Sequence, residues 1–126
     1  MKMKRLNYER GKRGEAIARN YLVKKGYQIL ESNFRTRFGE IDLVCAKGSR
    51  LIFVEVKLKV GEEFGRLEEM IDIKKVAQIR KTAQRFLLEN PQAFAKYPAY
   101  QIDAVCIVTE TDGQICRLDH YENLDL

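Results

Sequence analysis

Residues 38–60 read FGEIDLVCAKGSRLIFVEVKLKV, two apolar runs separated by the turn residues Lys47-Gly48-Ser49. This pattern is typical of a β-hairpin, with strands predicted at residues 38–46 and 50–60. The start of the second strand is apolar on both faces, which is typical of a central strand covered on two sides. The hairpin therefore predicts a sheet with other elements packed against both faces.

Alternation along the first strand of this hairpin assigns its side chains to two faces. One face would carry Ile41, Leu43 and Cys45, and the other Glu40, Asp42 and Val44. The chain before the hairpin predicts a helix over about residues 8–25, since Gly26 is a typical helix stop. A strand at residues 27–34 follows, and residues 1–6 are expected to be a loose basic arm.

The chain after the hairpin contains a second helical pattern and two more strands. Residues 61–69 are predicted to be a loop, and a helix over about 72–88 has Asp72 as its N-cap and ends before Asn90-Pro91. Strands are predicted at residues 100–109 and 114–118, and the tail from residue 119 is unassigned. The order αβββαββ predicts an α/β fold, a single-domain mixed β-sheet of about five strands flanked by helices.

Length and charge limit the classes of protein that fit. A chain of 126 residues forms one domain, residues 1–126. The net charge is +5, and cations are concentrated in the first 25 residues and in a second cluster on the predicted second helix. That cluster consists of Lys74, Lys75, Arg80, Lys81 and Arg85. Such a distribution suits a polyanion partner, although solvated helix surfaces would show the same charges.

Three cysteines, Cys45, Cys106 and Cys116, lack the spacing of a zinc site or a disulfide framework. No apolar stretch has the length of a signal sequence core or a membrane span. We therefore expect a cytoplasmic protein that does not associate with membranes.

Charged residues within the two otherwise apolar strands indicate a functional site. Asp42 interrupts the first strand, and Glu55 and Lys57 interrupt the second. Charged groups rarely occupy central strands, because unpaired burial is costly. If the strands pair, Asp42 lies beside Glu55, and two hard carboxylates favour Mg²⁺ or Mn²⁺. The alternative is an ion pair of either carboxylate with Lys57 that only neutralises itself.

The motifs around these residues resemble a known family. Asp42 followed by Glu55-Val56-Lys57 resembles the PD-(D/E)XK nuclease core. The longer blocks, GEIDLV at residues 39–44 and FVEVK at 53–57, are similar to the YraN-like family of bacterial proteins. Further matches are Gly14-Glu15, Ala18, Tyr21-Leu22, Gly26-Tyr27 and Asn33. That family is labelled as candidate endonucleases with the restriction-endonuclease-like fold, similar to Holliday-junction resolvases.

The resemblance implies roles for individual residues. Asp42 and Glu55 match the metal ligands, and Lys57 matches the catalytic lysine. Glu15, on the first helix, matches the acidic residue that completes the metal and catalytic site. A surface ion pair from Glu15 to Arg19 is the alternative. His120 also matches a family position, although a lone tail histidine is more often structural than catalytic.

These features predict a Mg²⁺-dependent (or Mn²⁺-dependent) endonuclease, a phosphodiester hydrolase that is structure-selective on DNA. The alternatives are a catalytically silent nucleic-acid-binding module with a nuclease fold and a protein adaptor that docks through the acidic segments. DNA is favoured over RNA, and the resolvase analogy adds a possible homodimer. The predicted nucleic-acid contacts are Lys12, Arg13, Lys59, Lys74, Lys81 and Arg85. Tyr8 and Phe34 would stack on bases or pack within the fold.

Overall fold

A five-stranded sheet forms the centre of the protein, with helices against both faces. The computed structural model describes residues 2–61 and 71–124. The helices are α1 (Lys2–Lys24), α2 (Ile73–Glu89) and α3 (Pro91–Lys96). The strands are β1 (Gln28–Thr36), β2 (Gly39–Lys47), β3 (Arg50–Val60), β4 (Ala99–Thr109) and β5 (Ile115–Tyr121). The predicted order αβββαββ is confirmed, and α3 adds one short helix that the sequence did not predict.

The strands lie in sequence order across the sheet, β1-β2-β3-β4-β5. Neighbouring strands are antiparallel except for β3 and β4, which are parallel. Two parallel strands require a long crossover between them, and the segment containing α2 and α3 makes that connection. The mixed sheet and the central position of β3 are therefore confirmed.

Two apolar cores lie on opposite faces of this sheet. One core packs residues of α2 against the sheet, and the other packs residues of α1 against it. Along β3, Phe53 belongs to the α2 core, whereas Ile52 and Val54 belong to the α1 core. Because side chains alternate along a strand, Glu55 follows Phe53 onto the α2 face.

Helix α1 begins earlier than predicted. Residues 2–6, predicted as a loose arm, form its first turns. Lysine, arginine, methionine and leucine are good helix formers, and an Arg5–Glu9 ion pair of 3.5 Å at i,i+4 spacing adds support. The predicted stop at Gly26 is present: its φ of 93° allows the Tyr27 N–H to donate to the Leu22 carbonyl oxygen at 3.0 Å.

A glycine allows α1 to approach the sheet closely. A Cβ atom placed on Gly14 would lie 3.1 Å from the Leu58 Cβ and 3.4 Å from the Val56 Cγ1. Gly14 is buried at this crossing of α1 over β3. The contact fixes the height of α1 above the sheet, and the next residue along the helix is Glu15.

Helix α2 has the predicted cap and buries one apolar face against the sheet. The Asp72 carboxylate accepts a hydrogen bond from the Lys75 N–H at 2.7 Å. Ile79, Ala83 and Phe86 are buried against the sheet. Ile73 does not join this face, because its side chain stands at the first helical position and is 89% exposed.

Element boundaries differ modestly from those predicted. β5 extends to Tyr121, so residues 119–121 of the unassigned tail are part of a strand. Most of the loop predicted at residues 61–69 lies outside the described residues. None of the helices in the described part of the chain combines the length and apolar content that a membrane span requires.

Candidate active site

The pairing of β2 and β3 ends where the two strands carry their charged residues, and we call this point the fork. The β2–β3 ladder runs from Lys47–Arg50 to Leu43–Val54 and pairs no residues beyond that point. Asp42 and Glu55 are the next residues on the two strands. The Asp42 Oδ2 atom accepts a hydrogen bond from the Val56 N–H at 2.7 Å. At the fork a side-chain carboxylate therefore takes the place of a backbone carbonyl as the hydrogen-bond acceptor.

The alternation of β2 breaks at the same point. Ile41 packs in the α2 core, whereas Leu43, two residues further on, packs in the α1 core. The prediction that Ile41 shares a face with Leu43 was therefore wrong. On β1, Asn33 lies between the pairs Ser32–Leu43 and Phe34–Ile41, next to this break, and has a φ of 56°, outside the extended range.

The carboxyl groups of Asp42 and Glu55 meet at the fork. They are close enough to share a hydrogen bond, and together with burial this contact raises the pKa of Asp42 to about 8. Burial is the largest cause, and the charge of Glu55 is the next; the Val56 N–H acts in the opposite direction. The convergence of the two acids that the sequence predicted is therefore present, and burial and the negative charge of Glu55 both favour the protonated form of Asp42.

Two lysines face Glu55, which is only 4% exposed. The Nζ atoms of Lys75 and Lys57 lie 3.1 Å and 3.6 Å from the Glu55 Oε2 atom. Neither ammonium is oriented to donate a hydrogen bond to this atom. Oε2 is therefore a buried oxygen that has positive charges nearby but accepts no hydrogen bond. The prediction named Lys57 but missed Lys75, which reaches the fork from α2.

Glu15 approaches the fork from α1. Asn33 Nδ2 lies 3.3 Å from its Oε1 and 3.1 Å from its Oε2, and Arg19 Nη2 lies 3.2 Å from Oε1. Glu15 and Asp42 line one cavity of about 420 Å³. The ion pair with Arg19 and the orientation toward the site, which the sequence left as alternatives, therefore occur together.

Glu15 is not in tight contact with both other acids. Within residues 2–61 and 71–124, the group of three His, Cys, Asp or Glu side chains with ligand atoms inside 4.8 Å of one another is Asp103, His120 and Glu122. Mg²⁺ commonly retains several water ligands, so a carboxylate at the cavity wall can contribute through water. Glu15 has that position relative to Asp42, with which it shares the cavity.

The second acidic cluster is a buried network that the sequence analysis missed. Asp103, fully buried on β4, has its Oδ2 atom 2.8 Å from His120 Nε2, and His120 Nδ1 lies 3.0 Å from the Tyr21 hydroxyl. Asp103 Oδ1 accepts from Gln101 and from the Asn123 N–H, each at 2.9 Å. Asp103 interrupts an apolar strand as Asp42 does, and this pattern in the sequence could have indicated the network. The network ties the C-terminal segment to α1 and β4.

The predicted nucleic-acid contacts divide into three regions. Lys12 lies near the acidic cavity, and Lys59 lines a neighbouring cavity of about 230 Å³ together with Lys57. Arg13 points elsewhere, because its guanidinium donates to the Gly113 carbonyl oxygen in the β4–β5 turn. The outer side of α2 presents Lys74, Lys81 and Arg85.

The two predicted stacking residues have different environments. Tyr8 is 66% exposed at the acidic cavity, and the Lys12 Nζ atom lies 5.7 Å from its ring centroid. Phe34 packs edge-to-face on Phe86 with ring centroids 5.2 Å apart, as part of the α2 core. Phe34 is therefore a packing residue and does not present its ring to a base.

Comparisons with known proteins agree with the resemblance of the motifs. Residues 14–107 match the model of a family described as "Uncharacterised protein family UPF0102". A UPF0102 protein of Syntrophomonas wolfei is 42% identical over 118 residues, 94% of this chain and 98% of the relative. One from Pelotomaculum thermopropionicum is 37% identical over 113 residues, 90% of this chain and 92% of the relative. The chain therefore belongs to the UPF0102, or YraN-like, family.

Proposed function

We propose that this protein is a metal-dependent nuclease that hydrolyses phosphodiester bonds in DNA and selects substrates by structure. The meeting of Asp42 and Glu55 at the fork, beside Lys57, carries the proposal. A sheet that needed only stability would place apolar side chains there, since buried charges contribute little net stability. Two acids and a lysine at the end of a strand ladder are instead suited to phosphate chemistry.

The donor set fits Mg²⁺ or Mn²⁺. Both are hard cations that prefer carboxylate oxygens. Asp42 and Glu55 would hold the cation, which would relieve their mutual repulsion. The buried Glu55 Oε2 atom accepts no hydrogen bond, although the ammonium groups of Lys75 and Lys57 lie near it and would compete with the cation. Glu15 would contribute from the wall of the cavity that it shares with Asp42.

The residues around the two acids have separable tasks. A bound divalent cation supplies Lewis-acid chemistry and lowers the pKa of a coordinated water. Lys57, at the open side of Glu55, would orient the attacking water or stabilise charge that develops on the phosphate. Asn33 and Arg19 hold the Glu15 carboxylate in place. Lys12 and Lys59 would contact the phosphates on either side of the scissile bond.

One observation favours the second candidate, a nucleic-acid-binding module that does not cut. Lys57 and Lys75 already surround the Glu55 carboxylate with two positive charges. A module without a cation would remain electrostatically balanced with this arrangement. The two candidates share the binding surface and differ in whether Asp42 and Glu55 support turnover.

Cleavage assays with matched variants distinguish them. Branched, flapped, single-stranded and duplex DNA are incubated with the purified protein in Mg²⁺, in Mn²⁺ and in EDTA. We expect cleavage that requires the cation and falls by at least about 100-fold in Asp42→Asn and in Glu55→Gln. Glu110→Gln, an exposed acid at the β4–β5 turn, is purified in parallel as the control. Binding without cleavage in every cation would support the silent module, and cleavage that survives both substitutions would identify a contaminant.

A further inference from the structure

The β1–β2 turn carries an exposed aromatic ring between two grooves. The Phe38 side chain is 39% exposed. On one side lies a groove of about 500 Å³ lined by Arg35, Arg37 and Arg85. On the other side lies a groove of about 290 Å³ lined by Lys74 and Lys81. Phe38 is the residue that lines both, so cations flank the ring on each side.

The turn is held in a fixed position. Gln78 Nε2 on α2 donates to the Phe38 carbonyl oxygen at 2.6 Å, and the Phe38 N–H donates to the Thr36 hydroxyl oxygen at 3.0 Å. Gly39 has a φ of 152°, and a Cβ atom there would lie 2.8 Å from the Gln78 Nε2. The backbone that presents the ring is therefore tied to α2 and does not need to be ordered by a ligand.

A continuous surface joins this ring to the carboxylates at the fork. Arg35 lines the groove beside Phe38 and also the cavity that contains Glu15 and Asp42. Its Nε atom lies 3.1 Å from the Glu40 Oε2 atom, and Glu40 also lines the cavity that contains Glu15 and Asp42. A nucleic-acid strand bound across the fork could continue along Arg35 to the Phe38 ring.

The charge of this surface matches a polyanion. Five cationic side chains line the two grooves, Arg35, Arg37, Arg85, Lys74 and Lys81, against the one carboxylate of Glu89. The Arg37 guanidinium carbon lies 5.1 Å from the Phe38 ring centroid. Aromatic rings flanked by cations bind single strands, because the ring stacks on a base while the cations contact the backbone.

We propose that Phe38 stacks on an unpaired base, and that the preferred nucleic acid therefore has single-stranded nucleotides beside the position of cleavage. This inference rests on the proposed nuclease function and assigns its substrate class. In a duplex each base is already stacked between its neighbours, so its faces are not available to a protein ring. The phosphates of the unpaired stretch lie along the flanking arginines and lysines.

The test measures stacking directly and without cleavage. The full-length protein in EDTA is titrated with a 20-nucleotide oligodeoxythymidylate that carries one 2-aminopurine, and with a 20-base-pair duplex. We expect the wild type to quench the 2-aminopurine fluorescence on binding. Phe38→Leu should lose this quenching and bind the single strand about 5- to 100-fold more weakly, with less than a twofold change for the duplex.

Two matched variants identify the cause of any loss. Phe38→Trp restores an aromatic ring and should recover both the quenching and the affinity. Phe94→Leu removes an aromatic side chain that is 46% exposed on α3, and should change neither. Thermal unfolding of all variants shows that the fold is retained.

The outcome separates this inference from the nuclease proposal. Absence of single-strand binding by the wild type, unchanged quenching in Phe38→Leu, or an equal loss for duplex and single strand would each overturn the stacking role. Cleavage in Mg²⁺ that is abolished by Asp42→Asn would leave the nuclease proposal standing in those cases. Conversely, Phe38-dependent quenching by a protein that never cuts would support the stacking role and refute the nuclease.

Discussion

Asn33 Nδ2 lies 3.3 Å from the Oε1 and 3.1 Å from the Oε2 of Glu15, and it does so from a backbone position with a φ of 56°. Asparagine is among the few residues other than glycine that adopt this conformation readily. The departure from extended backbone occurs within a strand, at the point where β1 passes Asp42. One residue thus orients the acid on α1 and lies beside the point where the alternation of β2 breaks.

Replacing Asn33 by glycine should separate these two roles. Glycine accepts the positive φ, so the strand should keep its path, but both hydrogen bonds to Glu15 are lost. We expect cleavage to fall about 10- to 100-fold, as is usual when a partner that orients a metal ligand is removed. The measurement is the cleavage rate at saturating DNA as a function of Mg²⁺ concentration.

Asn33→Asp provides the control for charge, since aspartate also adopts a positive φ but its carboxylate repels that of Glu15. It should be less active than Asn33→Gly at the same cation concentration. Full activity in both variants would show that the position of Glu15 is irrelevant to the reaction.

Lys75 competes with a cation for Glu55. Its Nζ atom lies 3.1 Å from the Glu55 Oε2 atom, and only 32% of its side chain is exposed. Removing this charge in Lys75→Met should strengthen Mn²⁺ binding by about 1 kcal/mol, or roughly fivefold, even if the pair is as weakly coupled as in water. Isothermal titration calorimetry with Mn²⁺ measures the change and does not depend on cleavage.

The neighbouring lysine supplies the matched control. Lys74 is exposed on the outer side of α2, so Lys74→Met should leave the Mn²⁺ affinity within twofold of the wild type. Lys75→Met should also destabilise the cation-free protein, because Glu55 loses its nearest positive charge. Equal Mn²⁺ affinity in the two variants would contradict a cation site at Glu55.

The comparison of Lys57 with Lys75 shows how far the sequence could predict the site. Lys57 was found because it follows Glu55 on the same strand at a spacing of two, and strand geometry relates such residues directly. Lys75 comes from a helix that packs on the sheet, and its reach depends on where α2 begins and crosses. No periodicity within a single element contains that information.

The same distinction applies to the fold. The bounds of β3 and the Asp72 cap follow from local rules and were predicted correctly. The face of Ile41 was predicted wrongly because the prediction assumed regular alternation along β2, and the alternation breaks between Ile41 and Leu43, beside the positive φ of Asn33 on β1. Asp103 could have been noticed as a charge within an apolar strand, but its partners His120 and Asn123 lie on β5 and in the segment that follows it.

Two glycines on α1 should respond in opposite ways to alanine. A Cβ atom on Gly11 would meet nothing within 4 Å, so Gly11→Ala should stabilise the protein by about 0.5–1 kcal/mol through helix propensity alone. On Gly14 the same atom would lie 3.1 Å from the Leu58 Cβ, and crowding of this kind typically costs about 1–3 kcal/mol. Gly14→Ala should therefore be less stable than Gly11→Ala and no more stable than the wild type.

Urea unfolding followed by circular dichroism measures both free energies under one set of conditions. The informative quantity is the difference between the two variants, because helix propensity cancels from it. An equal stabilisation by both substitutions would mean that α1 does not approach β3 as closely as Gly14 indicates.

Tyr27 should make stability depend on alkaline pH. Burial raises its pKa from 10.0 to about 12, and the charges of Asp103 and Glu122 add to the effect. Since the folded protein holds this proton more tightly than the unfolded chain does, the neutral phenol contributes stability that is complete below pH 10. That contribution is lost as the pH rises toward 12, and the part lost by pH 11 is about 1 kcal/mol.

Tyr27→Phe removes the titrating group and also the 3.5 Å hydrogen bond to Glu122. The variant should be less stable than the wild type at pH 9 but should lose less stability between pH 9 and pH 11. Urea unfolding at the two pH values gives both differences, and Tyr21, whose pKa is also raised, is retained in both proteins. Equal losses of stability in the two proteins would show that Tyr27 holds its proton no more tightly in the folded state than in the unfolded chain. The network that joins α1 to the C-terminal strand would then be more open to water than its contacts indicate.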